Sequence, residues 1–328
     1  MFDENSLEVV TGLEAIRLSS QLCEEVRGGL AGREAILKSD RSPVTVADYG
    51  SQAMIGRLIR ERFPHDTLVA EEDSKELRGP DHAEIVERIT SFVRGFVQGV
   101  SSREVLSWID FSSYPTADRF WTLDPIDGTK GFLRGDQYAI ALALIEKGRV
   151  TLGFMACPNL YVDREQPHGK RGALFFAIRG KGSFQTGMDG GNKRALSVSR
   201  VQDPSEASLT ESVEPDHTDH LTHERIARRL NIRKPSLRMD SQAKYAVVAR
   251  GEATIYLRAP STSEPGYREN IWDHAAGSII AEEAGGRVTD TLGQPLDFAS
   301  GIKMKKNLGV VVTNGVLHEI VLRALKKC

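Results

Sequence analysis

The stretch FWTLDPIDGTKGF at residues 120–132 constrains the fold more than any other part of the chain. Its apolar start is typical of a buried strand, and the proline and first glycine predict that the strand stops there in a turn. Asp124 and Asp127 would then converge at a strand end, where they repel each other unless a cation lies between them. A β-turn with Asp first and Pro second explains the same residues without a metal. This stretch alone leaves both interpretations open.

The residues that follow could supply further oxygen ligands to a metal ion. Hard divalent ions such as Mg²⁺ take oxygen ligands, and a break in strand pairing frees the peptide carbonyl of Ile126 to serve as one. Thr129 places a hydroxyl close to the same point. The rest of the chain has to supply further ligands and a substrate.

Length and composition allow a large α/β protein and exclude some classes of function. A chain of 328 residues is long enough for two domains of about 150 residues each. We expect an N-terminal α+β domain over residues 1–194 and a C-terminal α/β domain over residues 195–328. The net charge of −2 argues against nucleic-acid binding as the main task, since that predicts a basic domain with interleaved aromatic residues.

The termini and cysteines predict a cytoplasmic protein. The acidic N-terminus lacks the apolar run of a signal peptide. No apolar segment reaches the roughly 18 residues that a membrane span needs. Cys23, Cys157 and Cys328 have no metal-ligand spacing, so we expect reduced thiols.

Apolar periodicity predicts alternating helices and strands. Helices are expected at residues 6–27, 79–99, 221–230, 275–284 and 316–325, and a further helix follows Thr45 and has its apolar residues at 54–63. Strands are expected at residues 67–70, 120–123, 139–146, 150–156, 173–179, 182–185, 253–257 and 308–313. The turns at residues 147–149 and 180–181 predict two hairpins.

Further acidic residues lie at the ends of these predicted elements. Thr45 and Asp48 have the spacing of a helix N-cap and its capping box. Glu71 follows a short strand, and Asp273 stands at the start of a helix, where Asp is a common N-cap. Residues 228–258 are rich in Lys and Arg, which predicts either a surface for an anion or an ordinary solvated face.

Five motifs together resemble a known superfamily. The runs DPIDGT at 124–129 and WDHAAG at 272–277 resemble the Mg²⁺-dependent, lithium-sensitive phosphatases of the inositol monophosphatase and fructose-1,6-bisphosphatase superfamily. Within it, SPVTVADY at 42–49, DGTKGFLR at 127–134 and DSQAKY at 240–245 resemble the 3′(2′),5′-bisphosphate nucleotidase family. The resemblance implies the layered α-β-α-β-α sandwich of the inositol monophosphatase type, an α+β or α/β fold with two sheets.

The resemblance also assigns roles to residues. It implies that two or three Mg²⁺ ions are held by Glu71, Asp124, the Ile126 carbonyl, Asp127 and Asp273. It implies that Asp48 and Thr129 activate the attacking water. It implies that substrate is bound by Thr129, His217, Ser241, Lys244, Arg258 and Asp273, although His220 is an alternative to His217.

The implied activity is hydrolysis of the 3′-phosphate of adenosine 3′,5′-bisphosphate and of its sulfated form, a step in sulfur metabolism. An inositol polyphosphate 1-phosphatase, or a non-catalytic relative that binds metal or nucleotide, are the alternatives. We expect a monomer whose partner is the small-molecule nucleotide, with neither nucleic acid nor membrane involved.

Overall fold

The computed structural model describes residues 2–29, 35–37, 43–111, 117–163, 169–213, 220–259 and 266–327. The helices in these ranges are α1 (Leu7–Gly29), α2 (Val46–Arg62), α3 (Ala83–Arg94), α4 (Ser102–Ile109), α5 (Thr129–Arg134), α6 (His220–Arg229), α7 (Ala243–Ala249), α8 (Ala275–Glu283) and α9 (His318–Leu325). The strands are β1 (Ala35–Leu37), β2 (Pro43–Thr45), β3 (Thr67–Ala70), β4 (Arg119–Asp127), β5 (Ala139–Glu146), β6 (Arg149–Tyr161), β7 (Arg171–Ile178), β8 (Gly182–Gly187), β9 (Arg194–Ala195), β10 (Leu209–Glu211), β11 (Leu237–Arg238), β12 (Ile255–Arg258), β13 (Arg287–Thr289) and β14 (Val310–Thr313). Within these ranges, no helix combines the length and the apolar character that crossing a membrane requires.

The strands form two large sheets and one small hairpin of β1 and β2. The first sheet has the order β3-β4-β5-β6-β7-β8-β9. It is parallel between β3 and β4 and antiparallel elsewhere. The second sheet has the order β11-β10-β12-β14-β13, with β10 parallel to both of its neighbours. Both sheets are therefore mixed.

Three hydrophobic cores alternate with the sheets. The first core packs α1 and α2 on one face of the first sheet, and the second core packs α7 and α8 between the two sheets. The third core covers the far face of the second sheet with α6 and α9. Side chains along β5 point alternately to the two faces of the sheet. Leu142 and Leu144 therefore belong to the first core, and Ala141 and Ala143 belong to the second. This order of layers confirms the predicted α-β-α-β-α sandwich.

Most predicted elements are present. The hairpins β5–β6 and β7–β8 are confirmed. In the first of them, Lys147 and Gly148 both have positive φ (51° and 73°), as a two-residue turn between twisted strands requires. The prediction did not include several short elements, each of eight residues or fewer: β1, β2, α4, α5, β9, β10, β11, α7 and β13.

The predicted end of the strand at residue 123 is wrong. β4 continues through Pro125 to Asp127, and its register against β5 shifts between Asp124, opposite Ala141, and Asp127, opposite Ala139. β4 thus advances by one residue more than β5, which is the geometry of a β-bulge. Because Pro125 has no N–H to donate to the ladder, a bulge accommodates it without ending the strand.

The first sheet uses residues between 67 and 195, and the second uses residues between 209 and 313. The predicted domain boundary between residues 194 and 195 falls inside β9. Helix α8, from the second half of the sequence, packs against β6 of the first sheet. A division into two domains, 1–194 and 195–328, remains a proposal.

Candidate active site

Parallel pairing of β3 and β4 places two of the predicted acids side by side. Ala70, the last residue of β3, pairs with Leu123 of β4, and the Glu71 N–H donates to the Leu123 carbonyl at 3.3 Å. Glu71 therefore leaves β3 beside the point where Asp124 begins the bulge of β4. The carboxyl ends of neighbouring parallel strands are a common place for ligands.

The first turn of α2 lies against the same bulge. Thr45 is the N-cap of α2, and its backbone N–H donates to Asp48 Oδ2 at 2.8 Å, which confirms the predicted capping box. Ser51, one turn later, donates its hydroxyl to the Pro125 carbonyl at 3.0 Å. This bond ties α2 to β4 and directs the buried Asp48 towards the acids.

Gly128 joins β4 to α5 in a left-handed conformation, with φ at 85°. A side chain there would be strained, and its Cβ would lie 3.2 Å from Ser241 Cβ. The close approach brings the Ser241 turn of the second half next to Thr129. The Thr129 hydroxyl donates to the Ile126 carbonyl at 3.2 Å.

Asp273 precedes α8 and faces the site from the second half of the chain. Its Oδ2 accepts the Asn270 N–H at 2.8 Å. Between it and β4 lies Gln242, whose backbone N–H donates to Asp127 Oδ2 at 2.6 Å. The side-chain amide of Gln242 donates to the carbonyl of Trp272, the residue before Asp273, at 2.9 Å.

Asp124 is the most strongly perturbed acid of the group. Asp124 is 2% exposed, and its Oδ1 has no hydrogen-bond partner in the part of the chain that the structure describes. Burial raises the pKa of Asp124 well above its ordinary value, and negative charge on surrounding carboxylates raises it further. These carboxylates are Glu71, Asp127, Asp273 and Asp48.

The neighbouring acids are perturbed in the same direction. Burial raises the pKa of Asp127, although Lys244 and the Gln242 amide oppose the shift. Burial, followed by the charge of Glu269, raises the pKa of Asp273 to about 6. The pKa values of all three carboxylates are therefore raised, and the charges of Asp127 and Asp273 both add to the shift at Asp124.

This donor set fits a hard divalent cation. A buried carboxylate oxygen without a donor, surrounded by further carboxylates, is costly unless a positive charge is present. All of the candidate ligand atoms are oxygens, which suits Mg²⁺.

A second acidic group adjoins the first but has its own cation. Glu269, Asp273 and His274 each offer a ligand atom within 4.8 Å of the others. Arg258, however, donates from Nε to Glu269 Oε1 at 2.8 Å. Burial would raise the pKa of Glu269, but Arg258 and His274 outweigh it and lower the pKa to about 2. Glu269 is thus neutralised by Arg258, and Asp273 is the member that faces Asp127.

Two cations, the buried Lys244 and the partly buried Arg258, lie on the other side of Asp127. Lys244 is 2% exposed, and its Nζ donates to the Met239 carbonyl at 3.2 Å. Burial lowers the pKa of Lys244 to about 8, with Arg258 adding to the shift and Asp127 opposing it. Both cations act on Asp127 as well. The site therefore has an acidic side and a basic side that meet at Asp127.

The basic residues of 228–258 do not form one continuous surface. Lys244 and Arg258 lie at the site, whereas the exposed Arg228 pairs with Glu224 of its own helix. Arg250 lies at the opposite end of α7 and bonds to the Tyr161 carbonyl at 2.8 Å. Each of the two interpretations of this basic run therefore applies to a part of it, with Lys244 and Arg258 at the site and Arg228 on a solvated face.

Some of the residues named from the sequence lie outside the part of the chain that the structure describes. They include His217 and the side chain of His220, the first residue of α6. Cys23 and Cys157 are buried free thiols, and Cys328 lies outside the described residues.

Sequence reasoning assigned no role to Gln242, Glu269 or His274. Gln242 connects the two halves at Asp127, and Glu269 holds Arg258. His274 is fully buried and shares a hydrogen bond of 2.8 Å with the Tyr245 hydroxyl. The only signal for Gln242 and His274 was their place inside the motifs at 240–245 and 272–277.

Comparison with known proteins agrees with this geometry. Residues 6–328 match the inositol monophosphatase family. A 3′(2′),5′-bisphosphate nucleotidase of Oryza sativa is 42% identical, covering 97% of this chain and 93% of the relative. A 3′(2′),5′-bisphosphate nucleotidase of Schizosaccharomyces pombe is 40% identical, covering 95% of this chain and 93% of the relative.

Solved structures share the fold at lower identity. The Thermotoga maritima IMPase has a TM-score of 0.66 at 24% identity, covering 96% of this chain and 95% of its own. The extragenic suppressor protein suhB of Bartonella henselae has a TM-score of 0.68 at 21% identity, covering 98% and 99%. With a family match over nearly its whole length and relatives at 40–42% identity, the chain belongs to the inositol monophosphatase family.

Proposed function

We propose that this protein is a Mg²⁺-dependent phosphomonoester hydrolase that removes the 3′-phosphate of adenosine 3′,5′-bisphosphate, giving AMP and phosphate, and that also acts on the sulfated form. The observation that carries the proposal is the meeting of a cluster of acids with two cations, Lys244 and Arg258, at Asp127. Such a site offers metal ligands for one phosphate and cations for another. The 3′(2′),5′-bisphosphate nucleotidases at 40–42% identity support this choice of substrate.

The acidic side would hold two or three Mg²⁺ ions. The proposed ligands are carboxylate oxygens and one peptide carbonyl, from Glu71, Asp124, Ile126, Asp127 and Asp273. When bound, the ions would neutralise the phosphate oxygens and make a water molecule nucleophilic.

Asp48 and Thr129 would handle the proton of the attacking water. The Asp48 carboxylate accepts from the Thr45 N–H, so the start of α2 holds its orientation. The hydroxyl of Thr129 is held near the bulge by the Ile126 carbonyl. We assign Asp48 as the general base and Thr129 as the hydroxyl through which it acts and which contacts the substrate.

The basic side would bind the 5′-phosphate, which is not cleaved. Lys244 and Arg258 would supply the positive charge. Ser241 lies beside Gly128, the residue before Thr129. Ser241 and His217 are further proposed contacts to the nucleotide. Binding energy from this remote phosphate would orient the 3′-phosphate for attack. We propose further that the protein acts in the cytoplasm as a monomer.

Lys244→Ala tests whether the basic side of the site binds the 5′-phosphate. The variant should lose at least about tenfold more kcat/KM on adenosine 3′,5′-bisphosphate than on adenosine 3′-monophosphate, because only the first carries the 5′-phosphate. Lys181→Ala, in the exposed turn between β7 and β8, is the matched control and should retain both activities. Equal loss on both substrates would contradict the assignment of Lys244.

The function itself is tested by phosphate release in the presence of Mg²⁺. The panel contains adenosine 3′,5′-bisphosphate, its sulfated form, inositol 1,4-bisphosphate, inositol 1-phosphate and fructose 1,6-bisphosphate. We expect a preference for the two nucleotides, and a loss of roughly a hundredfold or more in rate for Asp127→Asn. A preference for inositol 1,4-bisphosphate would overturn the assigned substrate, and absence of phosphate release would overturn the assigned activity.

A further inference from the structure

Gln242 makes hydrogen bonds to three separate segments that meet at the site. It is 2% exposed and stands directly before α7. Its backbone N–H donates to Asp127 Oδ2 at 2.6 Å. Its side-chain Nε2 donates to the Trp272 carbonyl at 2.9 Å, and its Oε1 accepts the Gly277 N–H at 3.0 Å. One residue thus contacts β4, the segment before α8 and the first turn of α8.

The two side-chain bonds flank Asp273. Trp272 precedes this residue by one position, and Gly277 follows it by four. The Gln242 amide therefore fixes the backbone on both sides of Asp273, while its own backbone N–H fixes the carboxylate of Asp127. Asp127 comes from the first sheet and Asp273 from the second half of the chain, so their relative position depends on this bridge.

The surrounding packing leaves little room for another arrangement. A Cβ on Gly277 would lie 2.4 Å from Tyr245 Cδ2, so α7 and α8 are in close contact. The Tyr245 hydroxyl bonds to His274 Nδ1 at 2.8 Å. These contacts hold the start of α7 against α8, so the Gln242 amide is kept at hydrogen-bond distance from the backbone on both sides of Asp273.

We propose that Gln242 is a positioning residue that holds Asp127 and Asp273 at the separation required for binding Mg²⁺. The inference rests on the proposed function, since it takes these two carboxylates as metal ligands. Partners that orient metal ligands typically change metal affinity or activity by about 10- to 100-fold when they are removed. A residue that only fills space between the helices would change the stability of the fold and leave the affinity for Mg²⁺ unaltered.

The chain offers a matched control in Gln185. This residue is also fully buried, donates to the Val162 carbonyl at 2.7 Å and accepts from Arg194. It lies on β8, away from the carboxylates, and replacing it also breaks a pair of buried hydrogen bonds. Gln185→Leu and Gln242→Leu therefore cause a similar loss of stability through unsatisfied partners.

The experiment measures Mg²⁺ binding by isothermal titration calorimetry on protein freed of metal with EDTA, alongside urea unfolding of each variant. We expect Gln242→Leu to bind Mg²⁺ about 10- to 100-fold more weakly than wild type, and Gln185→Leu to bind it as wild type does. Phosphatase activity of Gln242→Leu should recover as the Mg²⁺ concentration is raised. Gln242→Asn keeps an amide that is one methylene shorter, and it should show the same weakening if Gln242→Leu does not fold.

Two outcomes separate this inference from the proposed function. If wild type binds Mg²⁺ and the folded Gln242 variants bind it equally well, Gln242 is not a positioning residue, and the proposed function is unaffected. If wild type binds no Mg²⁺ and releases no phosphate, both the proposed function and this inference are wrong.

Discussion

Among single residues, Asp124 has a carboxylate whose ionised form is unfavourable when no cation is bound. Its Oδ1 has no donor among the described residues, and burial together with nearby carboxylates raises its pKa. We expect Asp124→Asn to raise the free energy of unfolding in EDTA by about 1–3 kcal/mol, the usual cost of a buried polar group without a partner, because the variant removes the unfavourable charge. The same variant should lose phosphatase activity and gain little stability from added Mg²⁺, whereas wild type gains stability by binding it. Thermal unfolding in EDTA and in Mg²⁺ measures both effects.

Asp66→Asn is the control for this prediction. Asp66 has a cation of its own, since both of its carboxylate oxygens accept from Arg119 Nε at 3.0 Å. Its Oδ2 also accepts from the Trp121 indole at 2.9 Å. Loss of this compensated carboxylate should lower the melting temperature with and without Mg²⁺. The idea fails if Asp124→Asn destabilises the protein in EDTA as Asp66→Asn does.

Residues of the site could be predicted where their role depends on neighbours in the sequence. The capping box at Thr45 and Asp48 involves neighbours in sequence, so their spacing alone predicted it correctly. The bond between Gln242 and Asp127 joins residues 115 positions apart, and no local pattern encodes such a pair. Glu269 was missed for the same reason, because its role depends on Arg258 reaching it in the folded protein.

At the scale of elements, prediction succeeded for strands buried on both faces. β5 and β6 are long apolar runs, and their connecting turn contains a glycine, so both signals agree. β11 has two residues, both exposed, and β10 has three, so hydrophobic periodicity has too few positions to reveal them. The course of β4 through Pro125 was missed because proline normally argues against a strand, and only the neighbouring β5 accommodates the bulge.

The contact between β6 and α8 depends on small residues on the sheet. Gly153 of β6 faces α8, where a Cβ would lie 2.3 Å from Ile279 Cγ2 and 2.9 Å from the Ala276 carbonyl. We expect Gly153→Ala to lower the free energy of unfolding by about 1–3 kcal/mol, as overpacking of a core does. Gly28→Ala is the control, because a Cβ at Gly28 meets nothing within 4 Å. Urea unfolding should show Gly28→Ala to be neutral or stabilising, and equal effects of the two variants would contradict the packing argument.

At the scale of the whole molecule, the order of layers follows from where apolar surface has to be buried. The second core, between the two sheets, contains side chains from both sheets and from α7 and α8, so both halves of the sequence contribute to it. Alternating helix and strand patterns predicted a layered fold, since each sheet face needs a cover. They did not predict which helices lie between the sheets, because α7 is short and its apolar residues do not differ in kind from those of an outer helix.

The contribution of His318 to the stability of the whole molecule should fall in mild acid. This residue is fully buried at the start of α9, and its ring nitrogens bond to the hydroxyls of Thr289 and Thr313 at 2.9 and 3.0 Å. Burial, aided by Arg287 and opposed by Glu319, lowers the pKa of His318 from 6.5 to about 4. The unfolded chain therefore binds a proton at a higher pH than the native state does. The stabilising contribution is complete above pH 6.5 and is lost as the pH falls towards 4.

Linkage puts this loss at about 2 kcal/mol between pH 7 and pH 5. His318→Gln keeps polar atoms near both threonines but cannot take up a proton. As the pH falls from 7 to 5, the free energy of unfolding of wild type should therefore decrease by that amount relative to the free energy of unfolding of the variant. His65→Gln replaces an exposed histidine and should preserve the wild-type profile. Urea unfolding at pH 7, 6 and 5 measures the three profiles. Parallel profiles for wild type and His318→Gln would show that the native state accepts a proton at His318 without cost.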